Sequence, residues 1–343
     1  MMKSPIVTAE YARVIFAMYI LNQVDGVLLG DAGGGKTSLI KQLCAELDVH
    51  CHYMNMAIMS PIDDKGVPFV SHDEDGHWMI EAVPFHWPRE DGKIHVWLCD
   101  EVTRSTPSVL NAMLGFTDSR RLGMYEAPEK SVFLYTGNHT SDKGYTLELD
   151  EAFRSRYSIF FLEQTWKEWC PRFLAEEDGE PSIAAFHRYH TGEFFFDGSP
   201  DNDEFQRCRA RTWSRVSDLL KLGLPSEYED KAIVSYIGTR AAGQFKLFRK
   251  DIWGTLPTGE EILSDPENAM CPTDELGKLG ILATSVGKAA TPELMANLVT
   301  YANRMPDEFA MIAVTDAGRL NPANKTTAAF TKWQADHFNL LHG

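Results

Sequence analysis

Short apolar runs alternate with helically spaced segments through the first half of the chain. The runs predict buried strands, whereas apolar residues that recur three and four positions apart predict helices. Strands are predicted at residues 24–29, 51–57, 94–99, 131–136 and 157–162, and helices at residues 11–21, 36–47 and 106–116. Strands separated by helices of this length indicate a parallel sheet with helices on both faces, which is an α/β fold.

One segment interrupts this alternation. Residues 60–92 are rich in Pro, Gly, Asp and His and show no helical period. Within the segment, two apolar stretches at residues 67–71 and 77–81 flank the turn-forming residues 73–76. We therefore expect a β-hairpin inserted between the second and third strands of the sheet.

The pattern changes after Gln164, where only helical spacing continues. Amphipathic helices are predicted at residues 166–175, 212–222, 228–237 and 292–303, with linkers at residues 192–203 and 255–277. The predicted organisation is an α/β domain over residues 1–164, a helical domain over residues 165–254 and a helical C-terminal extension over residues 255–343.

Composition narrows the class of protein. The 343 residues include 33 Lys and Arg and 49 Asp and Glu, which gives a net charge of −16. Such a chain repels polyanions on average, so its main role is not expected to be coating DNA or RNA. The apolar stretch at residues 11–21 is too short to span a bilayer and is predicted to be a core helix rather than a signal peptide.

The six cysteines are scattered without CxxC spacing, which is typical of reduced cysteines in a cytoplasmic protein. The run His50-Cys51-His52 offers residue types that bind metals. Alternation along a strand would point Cys51 away from both histidines, so no metal site is predicted from this run.

The clearest motif is GDAGGGKT, which matches GxxxxGK[ST] between a predicted strand and a predicted helix. Backbone N–H groups of such a loop surround phosphates, and the helix dipole favours the same anion. Lys36 is expected to reach the β- and γ-phosphates, and the Thr37 hydroxyl is expected to bind Mg²⁺. The expected nucleotide contacts are Gly30, Asp31, Ala32, Gly33, Gly34, Gly35, Lys36, Thr37 and Ser38. The alternative is a glycine-rich turn with a chance lysine.

Two carboxylates follow the strand at residues 94–99. Asp100 would lie at the carboxyl end of that strand, beside the phosphate loop, and is predicted to join Thr37 in holding Mg²⁺. Glu101 is predicted to orient and polarise the attacking water. The next strand leads to Asn138, which could bind the γ-phosphate or the water, or could simply form a turn after Gly137.

Three arginines complete the candidate site. Arg154 and Arg156 stand just before the fifth strand, where either could neutralise the transferring phosphoryl group of a neighbouring subunit. Arg156 is the preferred residue, and two ordinary surface arginines are the alternative. Arg211, at the start of a predicted helix, could reach the nucleotide from a helical lid or could simply face solvent.

These motifs together resemble AAA+ ATPases and, within that class, the MoxR family. The matching pieces, over about residues 20–164, are GDAGGGKT, GVPFV, VWLCDEVTR, LGFTDSRRLGMYEAP, FLYTGNHT and LDEAFRSRY, with a weaker match through TWKEW and RARTWSRVSDLL. Two departures are Tyr157, where Phe usually follows the arginine, and GDAGGGKT in place of the commoner GPPGTGKT. Both keep the residues that the chemistry requires.

The resemblance implies an αβα nucleotide domain with a hairpin insert, followed by a helical lid. It also implies ATP and Mg²⁺ as ligands, a hexameric ring with ATP sites between subunits, and remodelling of protein partners. Such partners often contain a von Willebrand factor A-type domain. Arg104 matches a family arginine that contacts the neighbouring subunit, and a salt bridge at the edge of the core is the alternative.

Three functions fit the motifs. The first is a ring-forming ATPase that remodels a protein. Its candidate contact is the hairpin, which carries Phe69, His72, His77 and Trp78, and the alternative is a hairpin that packs on its own domain. The second is a motor that translocates DNA or RNA, which needs exposed cations such as Lys65, Arg120 and Arg121. The third is a small-molecule kinase, which needs no arginine from a neighbouring subunit. The first is the predicted function.

Overall fold

The computed structural model describes residues 5–59, 67–72, 78–83, 87–122, 125–138, 149–196 and 208–337. Contacts divide the chain into two compact units, Met1–Gln164 and Thr165–Gly343. We call them the sheet unit and the helical unit. The division of the second unit at residue 254 stays a prediction.

The sheet unit combines a parallel sheet, two short antiparallel pairs and flanking helices. Its strands are β1 Ile6–Val7, β2 Gly26–Gly30, β3 His50–Asn55, β4 Val67–His72, β5 Trp78–Val83, β6 His95–Asp100, β7 Arg121–Leu122, β8 Tyr125–Glu126, β9 Ser131–Asn138 and β10 Ser158–Leu162. Its helices are α1 Ala9–Asn22, α2 Lys36–Glu46, α3 Pro107–Ser119 and α4 Glu151–Arg154, with a 3-10 turn at Val102–Arg104.

The main sheet has the order β1-β10-β2-β9-β6-β3, and each neighbouring pair is parallel. The predicted parallel α/β fold is therefore confirmed. Strand β9 lies between β2 and β6, so the carboxyl ends of these three strands meet at one edge. Strands β4 and β5 pair antiparallel, as the hairpin prediction requires, while residues 60–66, 73–77 and 84–86 lie outside the described residues.

The central strands are buried on both faces, which explains their nearly continuous apolar sequences. Successive side chains alternate between two clusters, because the period of a strand is two residues. Leu28, Leu98 and Leu134 pack on one face with residues of α1 and α2. On the other face, Trp97 and Phe133 pack with residues of α3.

Polar side chains fix where α1, α3 and α4 begin. The Thr8 hydroxyl accepts a hydrogen bond from the Tyr11 amide at the start of α1, at 3.2 Å. Thr106 caps α3 in the same way ahead of Pro107, and Asp150 caps α4. Each cap satisfies an N–H that has no partner inside its helix, so these residues position the helices around the sheet.

The described part of the helical unit contains helices and 3-10 turns. The helices are α5 Trp166–Glu176, α6 Pro181–Tyr189, α7 Ala210–Lys221, α8 Ser226–Asp251, α9 Gly259–Ser264, α10 Leu276–Ala289, α11 Met295–Ala302, α12 Asp307–Leu320 and α13 Ala328–Asp336, and the 3-10 turns are Trp253–Thr255 and Pro322–Thr326. The predicted helical character of the C-terminal region is confirmed. Helix α9 lies inside the segment that was predicted as a linker, because Thr258 and Glu261 form a capping box at its start.

Two apolar clusters stabilise this unit. One is rich in aromatic residues of α5 to α8, including Trp169, Phe186 and Trp213. The other joins α9 to α13 around residues such as Leu282 and Tyr301. Among the described residues, no helix combines the length and apolar character needed to cross a bilayer.

Candidate functional site

The phosphate loop connects the end of β2 to the start of α2. Gly30, the last residue of β2, pairs with Asn138 of β9, and α2 begins at Lys36. Gly33 and Gly35 have φ angles of 81° and 79°, a left-handed conformation that disfavours side chains, so glycine is favoured at both positions. The backbone carbonyl oxygen of Asp31 accepts a hydrogen bond from the Gly34 amide at 3.1 Å, which tightens the turn.

The remaining predicted loop residues also lie at this turn. Ala32 is half-buried within the loop, and Ser38 is exposed in the first turn of α2. The loop therefore places successive backbone groups at a helix N-terminus, where anions are favoured.

The Lys36 ammonium is buried at the centre of the site. Its side chain is 6% exposed, and Nζ donates to the carbonyl oxygens of Gly30 at 3.0 Å and Asp31 at 2.8 Å. It also donates to Oδ1 of Asn138 at 3.2 Å. The structure thus brings together the cation of the loop and the polar end of β9, two features that are 102 residues apart in sequence.

Asp100, the last residue of β6, accepts hydrogen bonds from three hydroxyl groups. Its Oδ1 accepts from the Thr37 hydroxyl at 3.0 Å and from the Thr136 hydroxyl, and its Oδ2 accepts from the Tyr53 hydroxyl at 3.1 Å. Burial, followed by the charge of Asp100, raises the pKa of Tyr53. Tyr53 therefore stays a protonated donor near neutral pH.

Thr37 and Asp100 were predicted from the sequence, whereas Thr136 and Tyr53 were not. Tyr53 lies two residues before Asn55 of β3, which pairs with Asp100. Thr136 of β9 follows Tyr135, the partner of Cys99, and so lies beside Asp100. A hydroxyl on each neighbour of the acidic strand was the available signal, but it requires the strand order to be known.

Glu101 adopts a strained backbone conformation. Its φ and ψ angles are 59° and 37°, which place a side chain other than glycine in the left-handed region. Its Oε2 accepts a hydrogen bond from Nδ2 of Asn138 at 3.2 Å. The Asn138 backbone N–H donates in turn to the Thr103 hydroxyl at 3.0 Å, which holds the end of β9 against the 3-10 turn.

The two arginines at the end of α4, Arg154 as its last residue and Arg156 two residues later, differ in their partners. Arg156 Nε donates to Asp118 at 3.0 Å, and its NH1 donates to the Ala152 carbonyl oxygen at 2.6 Å. Arg154 is 51% exposed, and its ion pair with Glu151 spans 3.8 Å. Within the chain, Arg154 is thus held far less firmly than Arg156, the residue that sequence analysis preferred.

Two further predicted arginines lie on exposed turns. Arg104 is exposed in the turn Val102–Arg104, and its side chain makes no ion pair with any residue that the structure describes. Arg211 belongs to the helical unit, where it is exposed in the first turn of α7. Its contact with a nucleotide stays a prediction.

The donor set suits a nucleotide with a hard divalent cation. The Thr37 hydroxyl and the Asp100 carboxylate are oxygen ligands of the kind that Mg²⁺ prefers. Lys36 supplies a buried positive charge for phosphate oxygens, and Glu101 supplies a carboxylate beside them. The arrangement can therefore bind a polyphosphate and accept a proton from an attacking water.

Comparisons with known proteins give only distant matches. No protein-family model matches the chain, and no curated protein matches it. A candidate ATPase from Cytophaga hutchinsonii is 15% identical with a TM-score of 0.35, over 90% of this chain and 81% of that chain. RuvB of Thermotoga maritima, a Holliday junction branch migration motor, is 14% identical with a TM-score of 0.38, over 75% of this chain and 80% of that chain. NtrX from Brucella abortus is 13% identical with a TM-score of 0.41, over 97% of this chain and 67% of that chain. Likeness of this extent carries no inference about activity.

Proposed function

We propose that this chain is an ATP-hydrolysing motor of the AAA+ class, of MoxR type, that remodels a protein partner. One observation carries the ATPase part of the proposal. Asn138 binds the loop cation Lys36 and the catalytic candidate Glu101 at the same time, at 3.2 Å each. A glycine-rich turn without function would not need this connection between three separate motifs.

Each residue has a role that follows from its charge and contacts. Lys36 binds the β- and γ-phosphate oxygens in exchange for the carbonyls that it contacts in this structure. Glu101 accepts the proton of the attacking water, and Asn138 orients the Glu101 carboxylate. Thr37 and Asp100 would hold Mg²⁺, which neutralises phosphate charge when bound.

An arginine from a neighbouring subunit would complete the site. Arg154 ends α4 and Arg156 follows two residues later, and Arg154 is exposed with only a long ion pair. We therefore treat Arg154 and Arg156 as equal candidates for the arginine that acts in the neighbouring site. Assembly into a ring, with six subunits as the expected number, belongs to the same proposal because a shared site requires neighbours.

The ion pairs of the sheet unit favour a protein partner over a nucleic acid. Arg120 binds Asp25 at 2.8 Å, and Arg121 binds Glu126 at 2.6 Å. Two of the three cations proposed for DNA contact are therefore neutralised within the chain, and the third, Lys65, lies outside the described residues. A partner with a von Willebrand factor A-type domain is the proposed client.

Two substitutions test the ATPase proposal. Lys36→Ala should weaken ATP binding about 10- to 100-fold, since it removes a charged hydrogen-bond donor worth about 1.5–3 kcal/mol. Glu101→Gln should keep ATP binding and lower turnover by about 10²- to 10⁴-fold, since it removes the general base. Glu126→Gln makes the same chemical change on an exposed strand and serves as the control. Wild-type turnover in Glu101→Gln would overturn the assignment.

Mixing experiments test the shared site. Turnover per chain should rise with protein concentration, because the active site forms between subunits. Arg154→Ala and Arg156→Ala chains, each mixed with wild-type chains, should inhibit the neighbouring sites if they carry the acting arginine. A turnover that is independent of concentration and unaffected by both mixtures would instead support a monomeric enzyme such as a small-molecule kinase.

A further inference from the structure

A histidine cluster lies at the edge of the sheet opposite the phosphate loop. Strands β3 and β6 are parallel neighbours, and their first residues, His50 and His95, lie directly across from one another. His52 shares a face with His50, since side chains two residues apart in a strand point the same way. Asp91, in the loop before β6, completes the group. We call these four residues the histidine cluster.

Three side chains of the cluster converge on one point. Oδ2 of Asp91 lies 2.7 Å from Nε2 of His50, and Oδ1 of Asp91 lies 3.1 Å from Nε2 of His95. One ligand atom from each of these residues lies within 4.8 Å of the other two. Ligand atoms about 2.0–2.2 Å from one ion are separated by roughly 3–4 Å, so an ion fits after side-chain movements of about 1 Å.

The local sequence holds Asp91 in place. Gly92 has a φ angle of 77°, and this left-handed residue lets the loop turn back toward β6. The Lys93 amide donates to Oδ1 of Asp91 at 2.9 Å. This bond and the contact with Nε2 of His50 fix the orientation of the Asp91 carboxylate. A fixed carboxylate is therefore presented to two imidazoles.

His95 has the contacts of a metal ligand supported by a second residue. It is 2% exposed, and its Nδ1 lies 2.9 Å from Nε2 of His52. The two rings are nearly coplanar, with an interplanar angle of 10° and a centroid distance of 5.2 Å, so they meet edge to edge through these nitrogens. Histidines that bind metals through one nitrogen commonly donate the other N–H to a neighbouring acceptor, which fixes the tautomer. His52 is placed to be that acceptor.

We propose that His50, Asp91 and His95 form a binding site for a divalent transition-metal ion, with Zn²⁺ as the expected ion and His52 as a positioning residue. Two imidazoles and one carboxylate are the ligand types that Zn²⁺ takes in sites with three protein ligands, where water fills the fourth position. His50 and Asp91 are each 43% exposed, which leaves one side of the site accessible to water. Imidazole nitrogen disfavours Mg²⁺, so this site differs in kind from the oxygen donors at Thr37 and Asp100.

Cys51 is not part of the site. It lies between His50 and His52 on the opposite face of β3, where its thiol interacts with Cys44 of α2. The metal ligands therefore come from two strands and a loop rather than from the contiguous run that the sequence displays. The position of Cys51 on the opposite face also supplies a control, because Cys51→Ser removes a thiol without changing the histidine cluster.

Cobalt binding tests the proposal on the full-length chain. After treatment with a chelator, wild-type protein should bind one Co²⁺ per chain in excess Mg²⁺, with visible d–d absorption that Zn²⁺ displaces. His50→Gln and Asp91→Asn should each weaken Zn²⁺ binding at least about 10- to 100-fold. Cys51→Ser and His337→Gln, a histidine change in the helical unit, should bind as wild type does.

A second pair of variants separates positioning from structure. His52→Phe keeps an aromatic ring beside Trp97 but removes the acceptor, and it should weaken Zn²⁺ binding about 10- to 100-fold. His52→Gln, whose amide oxygen can accept the same proton, should recover part of that loss. Zn²⁺ should also raise the Tm of the wild type and not that of Asp91→Asn, because binding stabilises only a folded site.

Three outcomes would overturn the proposal. The first is a wild-type chain that binds neither Co²⁺ nor Zn²⁺ in excess Mg²⁺. The second is undiminished binding in both His50→Gln and Asp91→Asn. The third is loss of binding in Cys51→Ser. If either ligand variant fails to fold, the other decides, since both side chains are partly exposed.

Discussion

The strained backbone of Glu101 leads to a prediction that separates stability from catalysis. We expect Glu101→Gly to be more stable than Glu101→Ala, although both should lose ATP turnover. The two variants lack the same carboxylate and the same contact with Asn138. They differ only in a Cβ atom at a residue whose φ angle is 59°.

The magnitude follows from two opposing terms. A side chain in the left-handed region costs roughly 1–2 kcal/mol, which glycine avoids. Glycine loses more conformational entropy on folding, which lowers the free energy of unfolding by roughly 0.5–1 kcal/mol. The net gain of Glu101→Gly over Glu101→Ala is therefore about 0.5–1 kcal/mol, or a difference of about 1–4 °C in the unfolding midpoint of the sheet unit.

Urea denaturation of both variants, followed by tryptophan fluorescence, measures this difference. Ala45→Gly, at an exposed position in the last turn of α2, is the control and should destabilise the chain by up to about 1 kcal/mol. The glycine variant should thus be more stable than the alanine variant at position 101 and less stable at position 45. A Glu101→Gly variant that unfolds at the same or lower urea concentration than Glu101→Ala, beside a normal control, would refute the strain argument.

Three further predictions concern buried and reactive groups. Burial lowers the pKa of His187 to about 3, so the unfolded chain binds more protons below about pH 6.5 and stability should fall by roughly 1.4 kcal/mol per pH unit down to about pH 3. His187→Phe should remove that dependence in urea titrations, and an unchanged slope would contradict it. Arg188→Met should cost about 3–5 kcal/mol in unfolding free energy, since it leaves the Asp316 carboxylate buried without its 2.6 Å partner, whereas the double variant with Asp316→Leu should recover most of the loss. The hydrogen bond from Cys44 lowers the pKa of Cys51 to about 7, so iodoacetamide should modify Cys51 with a midpoint near pH 7, and a midpoint near that of a free thiol would be evidence against this contact.

Local patterns were sufficient to predict the parallel sheet and the candidate ATP site. GDAGGGKT is one continuous segment, and Asp100, Glu101 and Asn138 each follow a buried strand. The carboxyl ends of parallel strands meet at one edge, so sequence alone implied that these side chains would lie together. Thr136 and Tyr53 were missed because their contacts with Asp100 depend on which strands are neighbours.

Physical reasons explain why other structural features were not predicted from the sequence. His50 and His95 are brought together by the pairing of β3 with β6, which no local pattern specifies. Helix α10 was not predicted because it is buried nearly all round, so its apolar residues show no one-sided period. Helix α8 was predicted only to residue 237, and Gly238, with a φ angle of 78°, interrupts its helical geometry at that point.

The double contact of Asn138 limits which amino acids can occupy position 138. Its Oδ1 accepts from a cation, while its Nδ2 donates to an anion. An aspartate could satisfy Lys36 but would repel Glu101, and an apolar side chain would satisfy neither. Among side chains of this length, only Asn carries an acceptor and a donor on two separate atoms. A library with all twenty amino acids at position 138, selected for ATP turnover, should therefore return mainly Asn.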